Sequence, residues 1–463
     1  MRYIRRMRAT CLAGAVCAFA WTCCVVPAAR ADGAGGAVPA GQQATPPKYA
    51  IKAGKIVTMK PKPVAGDSRA VEVINHGLIL VSGGKIEAIR PTDANVPQGY
   101  TVIDASDRWA MPGIVESHTH IGTEGGFNDM VVSLNPELCI SDCIDPEDIA
   151  VKKAITGGVT TIHTMPGSGT NIAGFTVILK TAGATPEERI VRKLGAMKIA
   201  NAYNPERDGG DLGRTRMAMS WMVRYMLKQA REYTAAWQAY EQDKNKPKPQ
   251  LKPELENMRQ AFEGKIPTII HTCEGWGVMQ AIRIFGDENK LKIIVTHGEG
   301  GGYTIGHEAA KRDNVSLSVG PRLVDHTWGA EYDGKVHGIV AEYCNRGVDE
   351  MSINTDSVGW SSFIAPQEEL CFQGSMAARL GVDDLTIMKA LTINPARALG
   401  IDDRVGSLEV GKDADIVIKK GTHLDVTSPV DLVLVNGRIA YQRHGANLVA
   451  DKSSPTRQKE SQS

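Results

Sequence analysis

A pair of histidines is the first feature of this sequence with chemical consequences. His118 and His120 follow the short apolar run 113–117. Residues i and i+2 of a strand point to the same side, so the two imidazoles can leave the strand end together. Such a pair can bind one metal ion, for example Zn²⁺. Two surface histidines would give the same spacing by chance, so this motif alone does not decide the matter.

Three later apolar runs end in the same way. His271 ends the run 268–271, His297 follows the run 292–296, and Asp356 follows the run 350–354. In a (β/α)₈ barrel the carboxyl ends of the strands share one face. Each residue alone has an ordinary alternative, a buried hydrogen-bonded histidine or an aspartate that caps a helix. The whole set predicts a metal site at that face.

The elements that must position these residues alternate between strands and helices. Helical spacers separate eight candidate strands, which predicts a parallel (β/α)₈ barrel. The candidate strands are residues 113–117, 160–164, 176–180, 196–200, 268–271, 292–296, 315–319 and 350–354. A long helical excursion is predicted after the fourth strand, at about 214–262. The flanks on either side of the barrel carry short β-rich runs with tight turns at Gly83-Gly84 and Asn436-Gly437.

The first residues are typical of an export signal. Four arginines precede the apolar run 11–26, and Ala29-Arg30-Ala31 places small residues where a signal peptidase needs them. We therefore expect a signal peptide at 1–31, a flexible linker at 32–47, and a periplasmic or secreted protein without stable membrane association after cleavage. An uncleaved membrane anchor is the alternative.

Composition limits the function classes. The 53 basic and 52 acidic residues nearly cancel, so nothing indicates nucleic-acid binding, and a small-molecule substrate is expected. Cleavage after Ala31 would remove four of the nine cysteines. The odd, sparse remainder is not typical of a disulfide framework. A homo-oligomer is left open.

Beyond these patterns, the sequence resembles the amidohydrolase superfamily of metal-dependent hydrolases, and especially its imidazolonepropionase-like branch. The likeness runs from about residue 51 to 441. It is carried by the motifs at 111–120, 157–161, 392–397 and 405–415. The resemblance implies a small β-sandwich domain built from 48–111 and 399–447, around a barrel at 112–398. Residues 448–463 are expected to be a disordered tail.

The resemblance also implies roles for individual residues. His118 and His120 would bind one divalent ion, His271 and His297 a second, and both ions are expected to be Zn²⁺. Asp356 would contact the first ion and act as general acid/base. Lys198, carboxylated by CO₂, would bridge the ions; Lys180 and Lys193 are rival positions. His163, Arg322 and His326 are predicted substrate contacts, although His163 could equally be a packing residue.

The predicted activity is hydrolysis of an amide or cyclic amide C–N bond by a metal-activated water. The bonds expected are those other than peptide bonds, with dipeptidase activity left open. A mononuclear deaminase, a lactone or ester hydrolase of the same superfamily, and an inactive binding protein are the alternatives. The sequence does not name the substrate, because loop geometry sets it.

Overall fold

The computed structural model describes residues 47–449, except 66, 68, 125, 184, 203, 207–214, 323, 326–335 and 359–365, and except the side chains of 366–369. The predicted signal peptide and most of the predicted linker and C-terminal tail lie outside the described residues. The predicted substrate contact His326 also lies outside them. Within the described part of the chain, no helix combines the length and apolar character needed to cross a bilayer.

Four long strands precede the His-x-His motif. They are β1 (Tyr49–Pro61), β2 (Val71–Ser82), β3 (Lys85–Pro91) and β4 (Thr101–Pro112). β1 pairs antiparallel with β2 and parallel with β4. The predicted turn between β2 and β3 is confirmed. Gly83 and Gly84 both adopt positive φ, 60° and 81°, which glycine reaches without steric penalty.

The central strands are short and most of them are buried. They are β5 (Ile114–Thr119), β6 (Val159–Thr164), β7 (Ile172–Phe175), β8 (Val177–Lys180), β9 (Ile190–Arg192), β10 (Met197–Ala200), β11 (Thr268–Thr272), β12 (Ile293–His297), β13 (Val315–Val319), β14 (Val324–Asp325), β15 (His337–Gly338) and β16 (Met351–Ile353). β5 and β6 are parallel, as are β10, β11, β12, β13 and β16 in that order. Near-continuous apolar runs are typical of such strands, because helices cover both faces of the sheet.

The expectation for the third barrel strand was wrong. Residues 176–180 were predicted to be parallel to their neighbours, but β8 pairs antiparallel with β6 and β7 pairs antiparallel with β10. The connection from β6 to β8, residues 165–176, contains β7 but no helix. Parallel neighbours usually need a helical crossover, so the chain turns back instead and β8 lies antiparallel to β6.

Ladder pairing divides the central strands into two principal sheets. Their orders are β5-β6-β8-β9 and β16-β13-β12-β11-β10-β7, with β14 and β15 forming a separate small pair. No ladder joins β5 to β16 in the described part of the chain, so hydrogen bonding between strands does not close the expected eight-stranded ring. The two edges still meet, since Ser117 Oγ of β5 donates to the carbonyl of Ile353 of β16 over 3.4 Å and the backbone amide of Asp356 donates to the carbonyl of His118.

Helices fill the spaces between the central strands. They are α1 (Ile149–Thr156), α2 (Pro186–Arg189), α3 (Arg216–Gln242), α4 (Pro253–Phe262), α5 (Glu274–Ala281), α6 (Gly306–Ala310), α7 (Ile339–Cys344), α8 (Pro366–Arg379), α9 (Asp384–Leu391) and α10 (Ile393–Leu399). Ile140–Cys143 and Gly302–Ile305 are 3₁₀ turns, and Ile282–Glu288 continues α5 as a π-helix. The predicted helical excursion after the fourth strand is confirmed as α3 and α4.

The last strands return to the sheet formed by the first ones. They are β17 (Ile416–Lys419), β18 (Val430–Val435) and β19 (Arg438–Gln442). β17 pairs antiparallel with β4, which gives a seven-stranded sheet, the flanking sheet, in the order β19-β18-β17-β4-β1-β2-β3. Both ends of the polypeptide therefore build one sheet. Its division into the two layers of a sandwich stays a prediction.

Candidate metal centre

His118 and His120 lie where β5 ends, and their rings are 5.5 Å apart between centroids. Nδ1 of His120 lies 2.8 Å from the carbonyl oxygen of Met165. A carbonyl can only accept, so this nitrogen carries the proton and Nε2 keeps its lone pair. Nε2 lies 3.2 Å from Oδ1 of Asp356. The local structure thus presents His120 in the tautomer that a metal ligand needs.

His271 and His297 come from the neighbouring strands β11 and β12. Their rings are 4.5 Å apart, and the ring of His297 is 4.8 Å from that of His118. Nδ1 of His297 donates to the carbonyl of Gly320 over 2.6 Å, which again leaves Nε2 as the free nitrogen. His297 has a φ of 69°, a left-handed conformation that costs free energy in a non-glycine residue and is often found at functional sites.

Asp356 completes the cluster from the loop after β16. Its Oδ1 lies 3.4 Å from Nε2 of His118 and 3.2 Å from Nε2 of His120. Burial by itself would raise the pKa of this carboxyl group, but the attraction of His297 and His120 outweighs it and holds the pKa well below its usual range. Asp356 is therefore an ionised acceptor at neutral pH.

This set of donors fits a divalent metal ion. Ligand atoms of His118, His297 and Asp356 lie within 4.8 Å of one another. Nε2 of His297 and both ring nitrogens of His271 have no hydrogen-bond partner among the described residues, although all are buried. A buried, unsatisfied polar atom costs about 1–3 kcal/mol. A cation would satisfy more than one of these nitrogens at once, whereas no donor from the described part of the chain does.

Lys198 reaches the same cluster from β10. It is the second residue of that strand rather than its last, but its Nζ extends to 3.1 Å from Nε2 of His118 and 3.3 Å from Sδ of Met165. Burial lowers its pKa to about 7, against the opposing effect of Asp356. Among the three lysines considered for this role, only Lys198 contacts the histidines. Lys180 is paired with Asp413 and Asp415, and Lys193 is exposed.

The predicted substrate contacts are in different environments. His163 is fully buried, with Nδ1 donating to the carbonyl of Ser117 and Nε2 2.6 Å from Oγ1 of Thr176, and burial lowers its pKa to about 3. This geometry favours the packing alternative for His163. The half-exposed Arg322 binds the buried carboxylate of Glu299 through its guanidinium and its backbone amide. Its contact with substrate stays a prediction.

Two residues that support the cluster were missed by the sequence analysis. The buried Glu116 accepts a hydrogen bond from the backbone amide of His118 over 2.9 Å and another from that of Thr355 over 3.1 Å. A carboxylate inside an apolar strand was the signal that could have identified it. Phe127 stacks on the ring of His120 with centroids 4.8 Å apart. No spacing rule indicated Phe127, because it lies in an irregular loop.

The comparisons with known proteins bear on this cluster and on the fold. The sequence profile of the amidohydrolase family matches residues 109–440, which contain every one of the six clustered residues. The chain belongs to the amidohydrolase family. The expected resemblance to that superfamily is therefore confirmed, and with it metal-dependent hydrolysis of C–N bonds other than peptide bonds.

Three of the proteins similar to this chain show the extent of the likeness. The solved structure of an amidohydrolase from Thermotoga maritima is 27% identical in sequence and superposes with a TM-score of 0.73. The match covers 85% of this chain and 100% of that one. An imidazolonepropionase of Hyphomonas neptunium is 23% identical over 405 residues, covering 79% of this chain and 91% of its own length. An allantoinase of Streptomyces avermitilis is 22% identical over 419 residues, covering 78% and 86%. The amidohydrolase neighbours imply a TIM-barrel fold of mixed α/β content.

Proposed function

We propose that this amidohydrolase opens a cyclic amide, with N-acyl amino acids and dipeptides as the further substrate classes. The contact of Lys198 with His118 inside the buried cluster of histidines is the observation that carries the proposal, because it brings the predicted bridging residue to the candidate metal ligands. Relatives named imidazolonepropionase and allantoinase support the cyclic amide as the first class to test.

Two divalent ions, taken to be Zn²⁺, would be held by this cluster. His118 and His120 would bind one ion and His271 and His297 the other, with Asp356 touching the first. Ions bound by such a set supply Lewis-acid activation of water and polarisation of the substrate carbonyl. Imidazole and carboxylate ligands are compatible with Zn²⁺, and they also suit neighbouring metals of the first transition row.

Lys198, once carboxylated, would bridge the ions. An ammonium group repels cations, whereas a carbamate carries a negative charge and two oxygen donors. Only a neutral amine can react with CO₂, and a pKa of about 7 leaves a substantial neutral fraction at neutral pH. The full burial of Lys198 and the absence of any carboxylate ion pair to its Nζ among the described residues support this modification.

Asp356 would move the proton during hydrolysis. Its carboxylate is ionised, so it can accept a proton from the attacking water and return it to the departing nitrogen. The backbone hydrogen bond from Asp356 to His118 keeps the carboxylate beside the histidines. Proton transfer by a positioned group of this kind contributes ~10²–10⁴ in rate.

Phe127, in the loop after β5, would give the site an apolar wall. Phe127 covers one face of His120, and Met130, Val131 and Val132 follow it with side chains that are about half exposed or more. Asn128 attaches the loop to the neighbouring one, since its Oδ1 accepts from the amide of Gly169 over 2.8 Å. A substrate with an apolar group beside the scissile bond would fit this wall.

The first test is chemical analysis of the purified chain. We expect about two metal ions per chain, and a ¹³C carbamate signal in protein incubated with ¹³C-labelled bicarbonate. Lys198→Met should lose that signal, and the exposed Lys193→Met is the matched control. A carbamate signal that survives in Lys198→Met would contradict the assignment of the bridging residue.

A second candidate is a hydrolase with one metal, such as a deaminase. It is favoured by the observation that donors of His118, His297 and Asp356 lie within 4.8 Å of one another, which suits a single ion. Such an enzyme would contain about one ion per chain and no carbamate. The metal analysis therefore separates the two candidates.

Activity is tested with a panel of hydantoins and other cyclic amides, N-acyl amino acids, dipeptides and lactones. Each compound is assayed with the metal-loaded wild type and with His120→Ala. Turnover of a cyclic amide that disappears in the variant supports the proposal. Turnover restricted to lactones would favour the ester hydrolase instead, and no turnover of any compound would favour the binding protein.

Export belongs to the proposal as well. Its support is the basic, then apolar, then small-residue pattern of residues 1–31. N-terminal sequencing of the protein recovered outside the cytoplasm should begin at residue 32. Recovery of the full chain in the membrane fraction, with residues 1–31 still present, would favour the uncleaved anchor.

A further inference from the structure

A cleft lies between the flanking sheet and the helices α1 and α8. It has a volume of about 740 Å³, which is within the range of small-molecule sites. Gly157 at the end of α1 and Phe372 of α8 form one wall, while Val426, Val430 and Tyr441 of the flanking sheet and its loop form the other. The wall is therefore mainly apolar.

A charged residue lies in this apolar cleft. Side chains alternate along β17, so Lys419 shares a face with Val417, which packs with Ile155 of α1. Only 3% of Lys419 is exposed, so the ammonium group lies inside the interface between the sheet and the helix. A lysine at such a position is unusual unless a partner neutralises it.

No such partner is present among the residues that the structure describes. Nζ of Lys419 donates to the backbone carbonyl of Asp425 over 2.8 Å and forms no ion pair within 4.0 Å. The carboxylate of Asp425 accepts from Thr427, and that of Asp431 binds Arg108 and Arg443. Burial lowers the pKa of Lys419, against the smaller opposing effects of Cys371, Asp425 and Asp431, none of which forms an ion pair with it.

We propose that this cleft binds a small carboxylate with an apolar chain, whose head group pairs with Lys419 and whose chain contacts Phe372 and Val426. The cationic group in a wall that is mainly but not wholly apolar accounts for both halves of such a ligand. An ammonium group has three donors, and the protein uses one of them. The anion would take the others and offset the cost of burying the charge.

The cleft is separate from the metal centre. Gly157 lies just before the amino end of β6, whereas His118, His271 and His297 lie at the carboxyl ends of their strands. Opposite ends of parallel strands face opposite ends of the molecule. Binding in the cleft is therefore independent of the residues that would perform hydrolysis.

Calorimetric titration of the full chain with decanoate tests this proposal. We expect one saturable site per chain, and Lys419→Met should weaken binding by ~10-fold or more, the loss expected for a charge-assisted hydrogen bond. The neighbouring exposed Lys420→Met is the matched control and should bind as the wild type does. Asp425→Asn removes a carboxylate from the wall and should tighten binding.

Two further probes, one without the charge and one without the chain, test the two halves of the ligand separately. Decanol lacks the charge and inorganic phosphate lacks the chain, so both should bind more weakly than decanoate. Val426→Asp places a new carboxylate in the wall, which should weaken decanoate binding without disturbing the core, because Val426 is 55% exposed. The proposal is overturned if the wild type shows no saturable binding, if Lys419→Met binds equally well, or if either probe matches decanoate.

Discussion

The backbone amide of Asp356 donates a hydrogen bond to the carbonyl of His118, over 3.1 Å between nitrogen and oxygen. This bond joins the loop after β16 to the end of β5, two edges that no strand ladder connects in the described residues. The carboxylate of Glu116 supports the same junction, because it accepts from the amides of His118 and Thr355. These hydrogen bonds, together with the one from the amide of His120 to the carbonyl of Ser357, fix the relative position of histidine and aspartate.

Replacement of Glu116 by glutamine should loosen the metal centre. Glutamine has one acceptor oxygen, and its amide group would face a backbone amide that needs an acceptor. Supporting partners of metal ligands typically contribute 10–100-fold in affinity, so we expect a loss of about that size. Competition with a chelator measures it. The exposed Glu137→Gln is the control, and equal metal affinity in the two variants would contradict the positioning role.

Asp356→Asn should separate catalysis from folding. The amide cannot accept the proton, so kcat should fall by ~10²–10⁴. The backbone hydrogen bond to His118 does not involve the side chain, so the variant should still fold, as circular dichroism would show, although loss of the attraction to His297 and His120 should lower Tm of the metal-free protein. The exposed Asp349→Asn should keep full activity. A variant that retains kcat would remove Asp356 from the mechanism.

The buried Lys198 should make the stability of the metal-free protein depend on pH. Burial lowers its folded-state pKa to about 7, whereas the unfolded side chain keeps its ordinary value of 10.5. Between these values the unfolded state binds more protons, so the free energy of unfolding rises with pH, by at most about 1.4 kcal/mol per pH unit. Denaturant titrations at several pH values above neutrality should show this rise in the wild type and in Lys193→Met. If the free energy of unfolding changed with pH equally in the wild type and in Lys198→Met, Lys198 would not be the cause of the rise.

Phe127→Ala should affect substrate binding more than chemistry. The ring covers His120, and it has no group that could take part in proton transfer. KM should therefore rise, while kcat should fall less. Full burial of a phenylalanine side chain is worth about 1.5–3 kcal/mol, which sets the upper limit for the loss in kcat/KM. Phe127→Leu keeps an apolar side chain, so its kcat/KM should lie between those of Phe127→Ala and the wild type. An unchanged KM for every active substrate would exclude the loop as a wall of the site.

The ion cluster around Lys180 should matter for stability rather than activity. Its Nζ lies 2.6 Å from Asp415 and 3.0 Å from Asp413, and all three side chains are buried. Asp415→Asn leaves a buried charge partly unpaired, and breaking a buried pair costs on the order of 3 kcal/mol. Thermal unfolding should show the loss, with activity per folded molecule unchanged. A fall in kcat as large as that of Asp356→Asn would assign Lys180 to the reaction instead.

Several features of the molecule could be predicted from the sequence because they depend on neighbours along the chain. The spacing of His118 and His120 places both imidazoles on one side of a strand, whatever surrounds it. The glycines between β2 and β3 specify a hairpin turn because they adopt positive φ. The apolar runs before His271 and His297 indicated buried strands, since few other elements of that length are so uniformly apolar.

Only the tertiary structure decided the features that depend on residues distant in sequence. The direction of β8 follows from its pairing with β6, because the composition of so short a strand does not indicate its direction. Lys180 and Lys198 both occupy buried strands, and their different roles come from partners far along the chain, the carboxylates of Asp413 and Asp415 for one and the ring of His118 for the other. Local pattern determines what a residue can do, but contacts across the fold determine what it does.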